Sequence, residues 1–438
     1  MTVLSNLTLA NYLKIVSKGA VYNNLSEDSP IWEMIKKKKK GKDEGREFRF
    51  LLRSAYGASA AGFVSLSGEY PKSHKSSTVE GRAQYKDFAL TVEAERSVIA
   101  RAISDMSRYG EPFAEEMRTK TTILSRLLSA AVYQDGTGVL GEVASHTTST
   151  GGAGQQITVT LKTTNAARGH VGWFEYGDRV IFALADGTQD TQGNTEWEVV
   201  SRNRKTDQVV LKAVGGHNHV TANSLDNDYI YRAQQITRPD LSSPPTADYG
   251  TLTEAFVGLD SLSRNDGRLV NNITLSGALG GTRRDVGGNP LDSQDFQILM
   301  SDLMVAVGQG RYKYSKAMMA WESLNALVES RETDRRFNSI QDNKRGVASL
   351  GYQHGKNSVM FEADEFCPKK KIYICPEGDV IQFHGSDFEV VKPDGGNGMH
   401  LKPNSSGYDR SIQLFMEGTG CIISVHSAAI GVIENFTI

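Results

Sequence analysis

Apolar positions along this chain fall into two spacings, and the spacing changes several times. The stretch "PFAEEMRTKTTILSRLLSAAVYQD" places Phe113, Met117, Leu124, Leu128 and Ala131 at helical intervals, with Glu115, Glu116, Arg118 and Lys120 between them. It predicts a helix over residues 112–133, about six turns long at 3.6 residues per turn, with Pro112 in its first turn. "NPLDSQDFQILMSDLMVAVGQG" predicts a second helix through Phe296, Leu299, Met300, Leu303, Met304 and Val307, capped by Asp292 or Ser293 and stopped by Gly308. "KAMMAWESLNALVESRETDRRF" reads as a buried strand and a further helix. In "ADYGTLTEAFVGLDSLSRND" the spacing of Leu252, Ala255, Phe256 and Leu259 predicts one more.

Elsewhere the period is two. "REFRFLLRS" alternates Phe48 and Phe50 with arginines, and "AQYKDFALTVEAERSVIA" alternates Tyr85, Phe88, Leu90 and Val92 with charge. The residues between them are small, polar and rich in Gly and Ser, so 46–96 reads as a long two-stranded flap with a loose tip. A lone hairpin is barely stable in water, so such a flap has to lie on something else, a neighbouring subunit. "SVIARAISDMSRYGEP" reads as a short helical piece or turn ahead of the long helix. Residues 145–235 carry "QQITVTLKT", "YGDRVIFALAD", "TEWEVVSRNRKTDQVVLKAV" and "NDYIYRAQQ", short strands between turn-rich links, with "RNRKTD" joining a hairpin. They predict a small SH3-like β-barrel inserted in a larger domain, folding independently and projecting from it. "NSVMFEADEF", "KKKIYICPEGDVIQFHG" and "IQLFMEGTGCIISVHSAAIGVIENF" close the chain with strands, giving an α+β fold of antiparallel character.

The first 45 residues read as an arm. Leu7, Leu9, Tyr12, Leu13 and Val16 form a short amphipathic stretch, and Ile31, Trp32 and Ile35 are placed to anchor the arm on a neighbour. Lys36, Lys37, Lys38, Lys39, Lys40 and Lys42 form a basic run, either a solvated loop or a contact with packaged nucleic acid, since clustered lysines attract phosphate without reading sequence.

Bulk properties narrow the field. The 438 residues suffice for two or three domains, and a net charge of -2 argues against wholesale wrapping of nucleic acid. No apolar run approaches the ~18 residues of a membrane-spanning helix, and the N-terminus lacks a signal peptide's charged start and apolar core. Cys367, Cys375 and Cys421 form no C-x-x-C pair and read as small buried hydrophobes of a protein made in a reducing cytoplasm. The sequons at Asn6, Asn272, Asn404 and Asn435 carry no weight without secretion.

Candidate chemistry is sparse. Gly136, Gly138 and Gly141 in "YQDGTGVLG" spell G-x-G-x-x-G, but a phosphate-binding loop opens a helix, and this one follows a helix. Gly136 reads instead as the helix C-cap. No phosphate-binding loop of the G-x-x-x-x-G-K-[ST] type, no nucleophile elbow and no H-E-x-x-H pair occurs. His217 and His219 sit in a turn without an acidic or thiol partner close by, and Asp364 and Glu365 read as a solvated loop. Nothing positive supports an enzyme, and no cofactor, metal ligand or catalytic residue is assigned.

The order of these elements resembles the major capsid protein of tailed bacteriophages, with the Hong Kong 97-type shell fold. An arm, a long flap, a long helix ending in D-G-T-G, a helix-strand-helix unit in "QILMSDLMVAVGQGRYKYSKAMMAWESLNALVESRETDRRF" and closing strands in "GCIISVHSAAIGVIENFTI" carry the resemblance, which spans the chain apart from the β-rich insertion. It implies an N-terminal arm at 1–45, an E-loop at 46–96, a peripheral domain with the spine helix at 97–144, an inserted β-rich domain at 145–237, and the axial domain with the remaining peripheral strands at 238–438. It further implies self-assembly into hexamers and pentamers of an icosahedral shell around double-stranded DNA, held non-specifically. Portal, separate scaffolding and decoration proteins would be partners, with no membrane and with assembly in the bacterial host cytoplasm. Some relatives join Lys and Asn side chains covalently, for which Lys72 and Lys75 are conceivable donors. An encapsulin-type bacterial nanocompartment shell and a β-rich phage or surface binding module are the alternatives.

Overall fold

The computed structural model describes residues 29–39, 45–55, 77–95, 106–148, 155–163, 168–189, 196–214, 225–235, 238–241, 248, 253–308, 311–332, 351–354, 357–386, 389–390, 399–404 and 407–437. The first 28 residues, Lys40, Lys42, Lys72, Lys75, Leu252, His217 and His219 lie outside this set, and with them the readings placed on those residues.

Chain order starts with a 3-10 turn, Pro30–Glu33, and strand β1, Lys36–Lys39. Strands β2, Glu47–Ala55, β3, Ser77–Gln84, and β4, Lys86–Glu95, follow. Here the flap departs from the sequence reading. The partner of β2 is β3, which lies within the stretch read as the loose tip, and the two form a sheet of their own. The alternating segment expected as the second flap strand is β4, and it pairs with a C-terminal strand in the body instead. Its period-two apolar set explains the difference: Phe88 and Leu90 are both buried against the body, which a free flap would not provide. Gly81 in β3 allows the hairpin root to dock, because a Cβ there would come within 2.5 Å of the Phe50 ring and 2.7 Å of Ile273.

The long helix, α1, spans Met106–Tyr133. It starts six residues before the position that Gly110 and Pro112 appeared to dictate, and Pro112 is interior. Proline there removes the helical partner of the Arg108 carbonyl, a cost that the rest of the 28-residue helix outweighs. Leu124, Leu128 and Ala131 are buried, as the stripe predicted. The helix stops at Tyr133, so Gly136 is not its cap. Gly136 and Gly138, with φ of 80° and 79°, instead turn the chain into strand β5, Val139–Thr148, which also contains Gly141. The dinucleotide-like spelling is therefore a helix-to-strand turn.

With β5 start the strands of a closed six-stranded barrel: β6, Gln156–Leu161; β7, Arg179–Ala183; β8, Trp197–Asn203; β9, Gln208–Ala213; and β10, Tyr229–Arg232, ordered β10-β5-β6-β9-β8-β7. The β8–β9 hairpin is the one "RNRKTD" predicted. The barrel begins at Val139 rather than at 145, directly off the turn. Gly169, with φ of 98°, bridges Gly141, and a Cβ there would lie 2.2 Å from the Leu140 carbonyl oxygen. Inside, Trp197 meets Phe182 edge-on at 6.2 Å among buried Val159, Val199 and Leu211.

Residues 253–258 are not the helix their spacing predicted; only Leu259–Leu262, α2, is helical. Backbone contact decides this. Val257 bridges Asp135, and Gly258 donates to the Gln134 carbonyl at 3.1 Å, where a Cβ would meet the Val132 oxygen at 2.4 Å. A small hairpin, β11, Leu269–Val270, with β12, Ile273–Thr274, leads to β13, Thr282–Asp285. Helix α3, Ser293–Val307, has the predicted start and stop: Asp292 and Asp295 form a reciprocal capping box, and Gly308 follows with φ of 92°. Next come β14, Tyr314–Met319, and helix α4, Trp321–Glu332.

Eight further strands finish the chain: β15, Gly351–His354; β16, Asn357–Ala363; β17, Lys371–Pro376; β18, Ile381–Gly385; β19, Glu389–Val390; β20, Met399–Asn404; β21, Gly407–Ser424; and β22, Gly431–Glu434. One mixed sheet runs β13-β22-β17-β14-β16-β15, with α3 packing Phe296, Leu299 and Leu303 against Ile372, Ile374 and Ile433. The other runs β1-β18-β21-β19, with β4 and β20 also pairing to the long β21. Ile31, Trp32 and Ile35 are not free to anchor on a neighbour. They are 0%, 2% and 4% exposed within their own chain, with Trp32 edge-on to Phe383 at 5.4 Å and its indole donating to Ser129 at 2.9 Å. All three cysteines are buried and unbridged.

Because the barrel interior is filled by the Trp197 ring, Trp197→Ala should lower unfolding free energy by ~3–5 kcal/mol. Denaturant titration would check this, and a loss below ~1 kcal/mol would contradict the packing described.

Candidate assembly surfaces and the charged seam

Two kinds of feature stand out: surfaces left uncovered, and a buried charged seam that fixes the elements bearing them. The seam starts with the segment 364–367 between β16 and β17. Asp364 is 1% exposed, not solvated as its sequence implied. It accepts hydrogen bonds from the Ser29 hydroxyl, the Tyr133 hydroxyl at 2.9 Å and the Phe366 amide at 2.9 Å. One carboxylate thereby joins the N-terminal segment to the C-terminal end of α1. Burial, the largest influence, raises the Asp364 carboxyl, and these donors offset part of that rise.

Glu365 faces the barrel. It takes Arg126 of α1 at 2.8 Å and Arg202 of β8 at 2.9 Å, while Arg126 also holds Glu175 at 2.7 Å. Arg202 reaches on to the carbonyls of Gly172 and Phe174 at 2.9 and 2.6 Å. The next residue completes the join: the Trp173 indole donates to the Phe366 carbonyl at 2.9 Å, and the Arg126 guanidinium lies 5.2 Å from the Phe366 ring. Burial alone would raise the Glu365 carboxyl, but Arg126, Arg202 and Arg204 outweigh it and hold the group below its ordinary value. A parallel node forms at Asp260 in α2, which is buried and gathers Arg264 at 2.7 Å, Lys371 at 2.7 Å and Arg283 at 3.3 Å. Burial opposes ionisation there too, and the three cations keep its carboxyl well below the usual range.

The seam holds up an irregular outer surface. Leu51 on β2 is 71% exposed, Tyr176 on the barrel 78%, Val305 on α3 85%, and Trp321 at the start of α4 54%. The β2–β3 hairpin is anchored along one face, where Phe48 lies 3.9 Å from the His384 ring, Leu52 is buried in the core and the Arg82 amide donates to the Asn271 carbonyl at 2.8 Å. Its outer side is polar, with Arg49, Glu47, Glu80 and Arg82 forming exposed ion pairs, and such pairs contribute little stability.

The lysine run is divided. Lys36, Lys37, Lys38 and Lys39 form β1, parallel to β18, so alternate lysines face opposite ways. Lys36 pairs with Asp379. Lys37 sits 5.8 Å over the Trp32 ring, where burial pushes its ammonium down. Sequence reasoning missed Arg126, Arg202, Asp364 and Glu365 as an assembly, because the contacts that join Asp364 and Glu365 to distant elements span 163 to 335 residues of chain. Among the described residues no group of three His, Cys, Asp or Glu side chains is placed to hold a metal ion, and no helix is long and apolar enough to cross a membrane.

No family model and no curated protein matches the sequence. Solved structures do resemble the fold. The capsid of a native GTA particle is 10% identical over 93% of this chain and 90% of that one, with a TM-score of 0.46. The capsid of cyanophage A-1(L) is 10% identical over 94% and 93%, with a TM-score of 0.44. A virus-like particle from Pyrococcus furiosus is 7% identical over 97% and 99%, with a TM-score of 0.37.

Removing Glu365 leaves Arg126 and Arg202 to share Glu175 alone, at 2.7 and 3.5 Å. Glu365→Ala should cost about 2 kcal/mol, less than the ~3–5 kcal/mol of a fully buried pair because water reaches part of the site. A group with a depressed folded-state pKa adds stability above its unfolded value and loses it as pH falls. The Glu365 contribution should therefore be full at neutral pH, begin to fall near the unfolded value of about 4.3, and be lost as pH drops through the lowered folded value. Asp364 acts in the opposite sense, so the test is the difference between parent and Glu365→Gln in urea titrations across pH 3–7. Parallel curves would show that the ion network does not stabilise the seam.

Proposed function

We propose that this chain is the major capsid protein of a tailed bacteriophage, building an icosahedral shell around double-stranded DNA. The observation that carries the reading is the β2–β3 hairpin. It stands as a separate two-stranded sheet, with Leu51 71% exposed on one face, Leu52 buried on the other and 21 residues between its strands. An extended element of this kind gains too little within one subunit to offset ordering costs of ~1–2 kcal/mol per residue. Burial on a neighbouring copy supplies the rest.

The other elements fall in place around it. Helix α1 acts as the spine of a peripheral domain, and the α3–β14–α4 unit belongs to an axial domain that meets its copies at capsomer centres. The β2–β3 hairpin with its intervening residues is the E-loop. The barrel is an insertion at the end of the spine, rigidly joined through Glu365, which suits a capsomer-stabilising role better than that of a loosely tethered module. Portal, scaffolding and decoration proteins are the partners this reading calls for, and assembly takes place in the host cytoplasm. Lys36, Lys38, Lys39, Lys40 and Lys42 remain the candidates for non-specific contact with the packaged DNA; Lys37, seated over Trp32, drops out of that set.

Negative-stain images of the purified protein should contain closed shells, tubes or sheets, and particles from an infected host should hold DNA. Shells carrying enclosed protein and no DNA would favour a bacterial nanocompartment. Deleting residues 57–75, which leaves the docked hairpin root intact, should yield a folded subunit that fails to form closed, stable particles. Deleted protein assembling as robustly as the parent would remove the hairpin from the role of intersubunit clamp.

A further inference from the structure

A second feature of the seam has no part in the shell reading. Between residues 168–171 of the barrel and residues 368–371 lies a cavity of about 50 Å3. A water needs roughly 10–15 Å3 by this measure, so there is room for a few waters or for one tetrahedral oxyanion. An adjoining open cleft shares Thr163, Asp207, Lys369 and Lys370 with it and adds Lys205.

The charge around this cavity does not balance. Its lining cations are Lys162, Arg168, Arg264, Lys369, Lys370 and Lys371. Lys162 is matched by Glu142, Arg168 by Asp135 and Lys369 by Asp207. Arg264 and Lys371 share Asp260 with Arg283, which also takes Glu434. Arg264 also reaches Asp266, which Arg268 shares, so eight cations meet six carboxylates, an excess of two. Lys370 has no carboxylate partner among the described residues. It is held in the left-handed region at φ of 58°, a conformation uncommon for a lysine, within a run of three lysines.

His170 lines the cavity at 5% exposure, and burial, then the charges of Arg204 and Lys369, push its imidazole down to about 3, so at working pH the ring adds no charge to that of the lysines and arginines around it.

We propose that this cavity, with His170 at its floor and Lys370 at its mouth, binds a free, doubly charged tetrahedral oxyanion, hydrogen phosphate or sulfate. The ion bridges the barrel and the 368–371 segment and cancels the excess charge of the seam. A cavity of this size admits a free ion.

The test uses the full chain in buffer free of both ions. Sodium phosphate is titrated at constant ionic strength against sodium chloride, and the unfolding midpoint is read. The parent midpoint should rise with the logarithm of phosphate concentration, as expected for a ligand that binds only the folded state. Lys370→Gly relieves the left-handed backbone, so its phosphate-free midpoint should equal or exceed the parent's while its response to phosphate is lost. That pairing separates loss of the site from loss of the fold. Phosphorus-31 line broadening of added phosphate should appear with the parent and be absent with Lys370→Gly. No response beyond the chloride control, an undiminished response in Lys370→Gly, or a response to a short DNA duplex but not to free phosphate would each overturn the proposal.

Discussion

The arrangement of this molecule turns on one short buried segment, 364–367. Within two consecutive carboxylates it ties together elements that the chain keeps far apart. Asp364 holds the N-terminal segment at Ser29 and the end of α1 at Tyr133, and Glu365 holds α1 at Arg126 and the barrel at Arg202. Taking these charges out of water is costly, and what offsets that cost is complete pairing. The next residues add apolar closure: the Phe366 ring lies under Arg126, its carbonyl takes the Trp173 indole, and Cys367 is fully buried. A joint of this kind adds rigidity and geometric definition more than raw stability, since an apolar joint of equal volume could be as stable.

For the proposed shell role that rigidity bears on assembly, because a shell subunit needs a defined body and adaptable edges. The seam provides the body, fixing barrel, helix and both sheets together. The uncovered features lie away from it: Leu51 on the hairpin, Val305 on α3 and Trp321 on α4. The barrel attaches directly at the turn after α1, with Gly169 pressed against Leu140 and Gly141, so no linker separates α1 from the barrel.

Local chemistry was readable wherever cause and effect lie close in sequence. Helix α3 carries its own start in Asp292 and its own stop in Gly308, and the barrel hairpin carries its turn in "RNRKTD". The resemblance to a shell protein likewise came from the order of such elements. Sequence reading went astray where a distant partner decided the outcome. Strand β4 looked like a flap strand because alternation reveals a buried face without revealing what buries it, and β21 is more than 300 residues away. Ala255 and Phe256 had helical spacing, but the turn after α1 captured the backbone of Val257 and Gly258. Ile31 and Trp32 seemed free because Phe383 and Ser129 are invisible from position 32. Asp364 and Glu365 were read as solvated for the same reason: two acids in a row look like surface until three arginines and a tyrosine are found around them.

The central claim is that barrel, long helix and body form one cooperative unit joined through Asp364 and Glu365. Native-state hydrogen exchange on the unassembled subunit tests it most directly, by comparing opening free energies of amides in β6, β8 and β9 with those in residues 124–133 of α1 and in β17. The account predicts that the slowest amides of all three regions share one opening free energy and fall together in Glu365→Ala. A barrel that opens at a distinctly different free energy from the helix, or that is unmoved by Glu365→Ala, would contradict it.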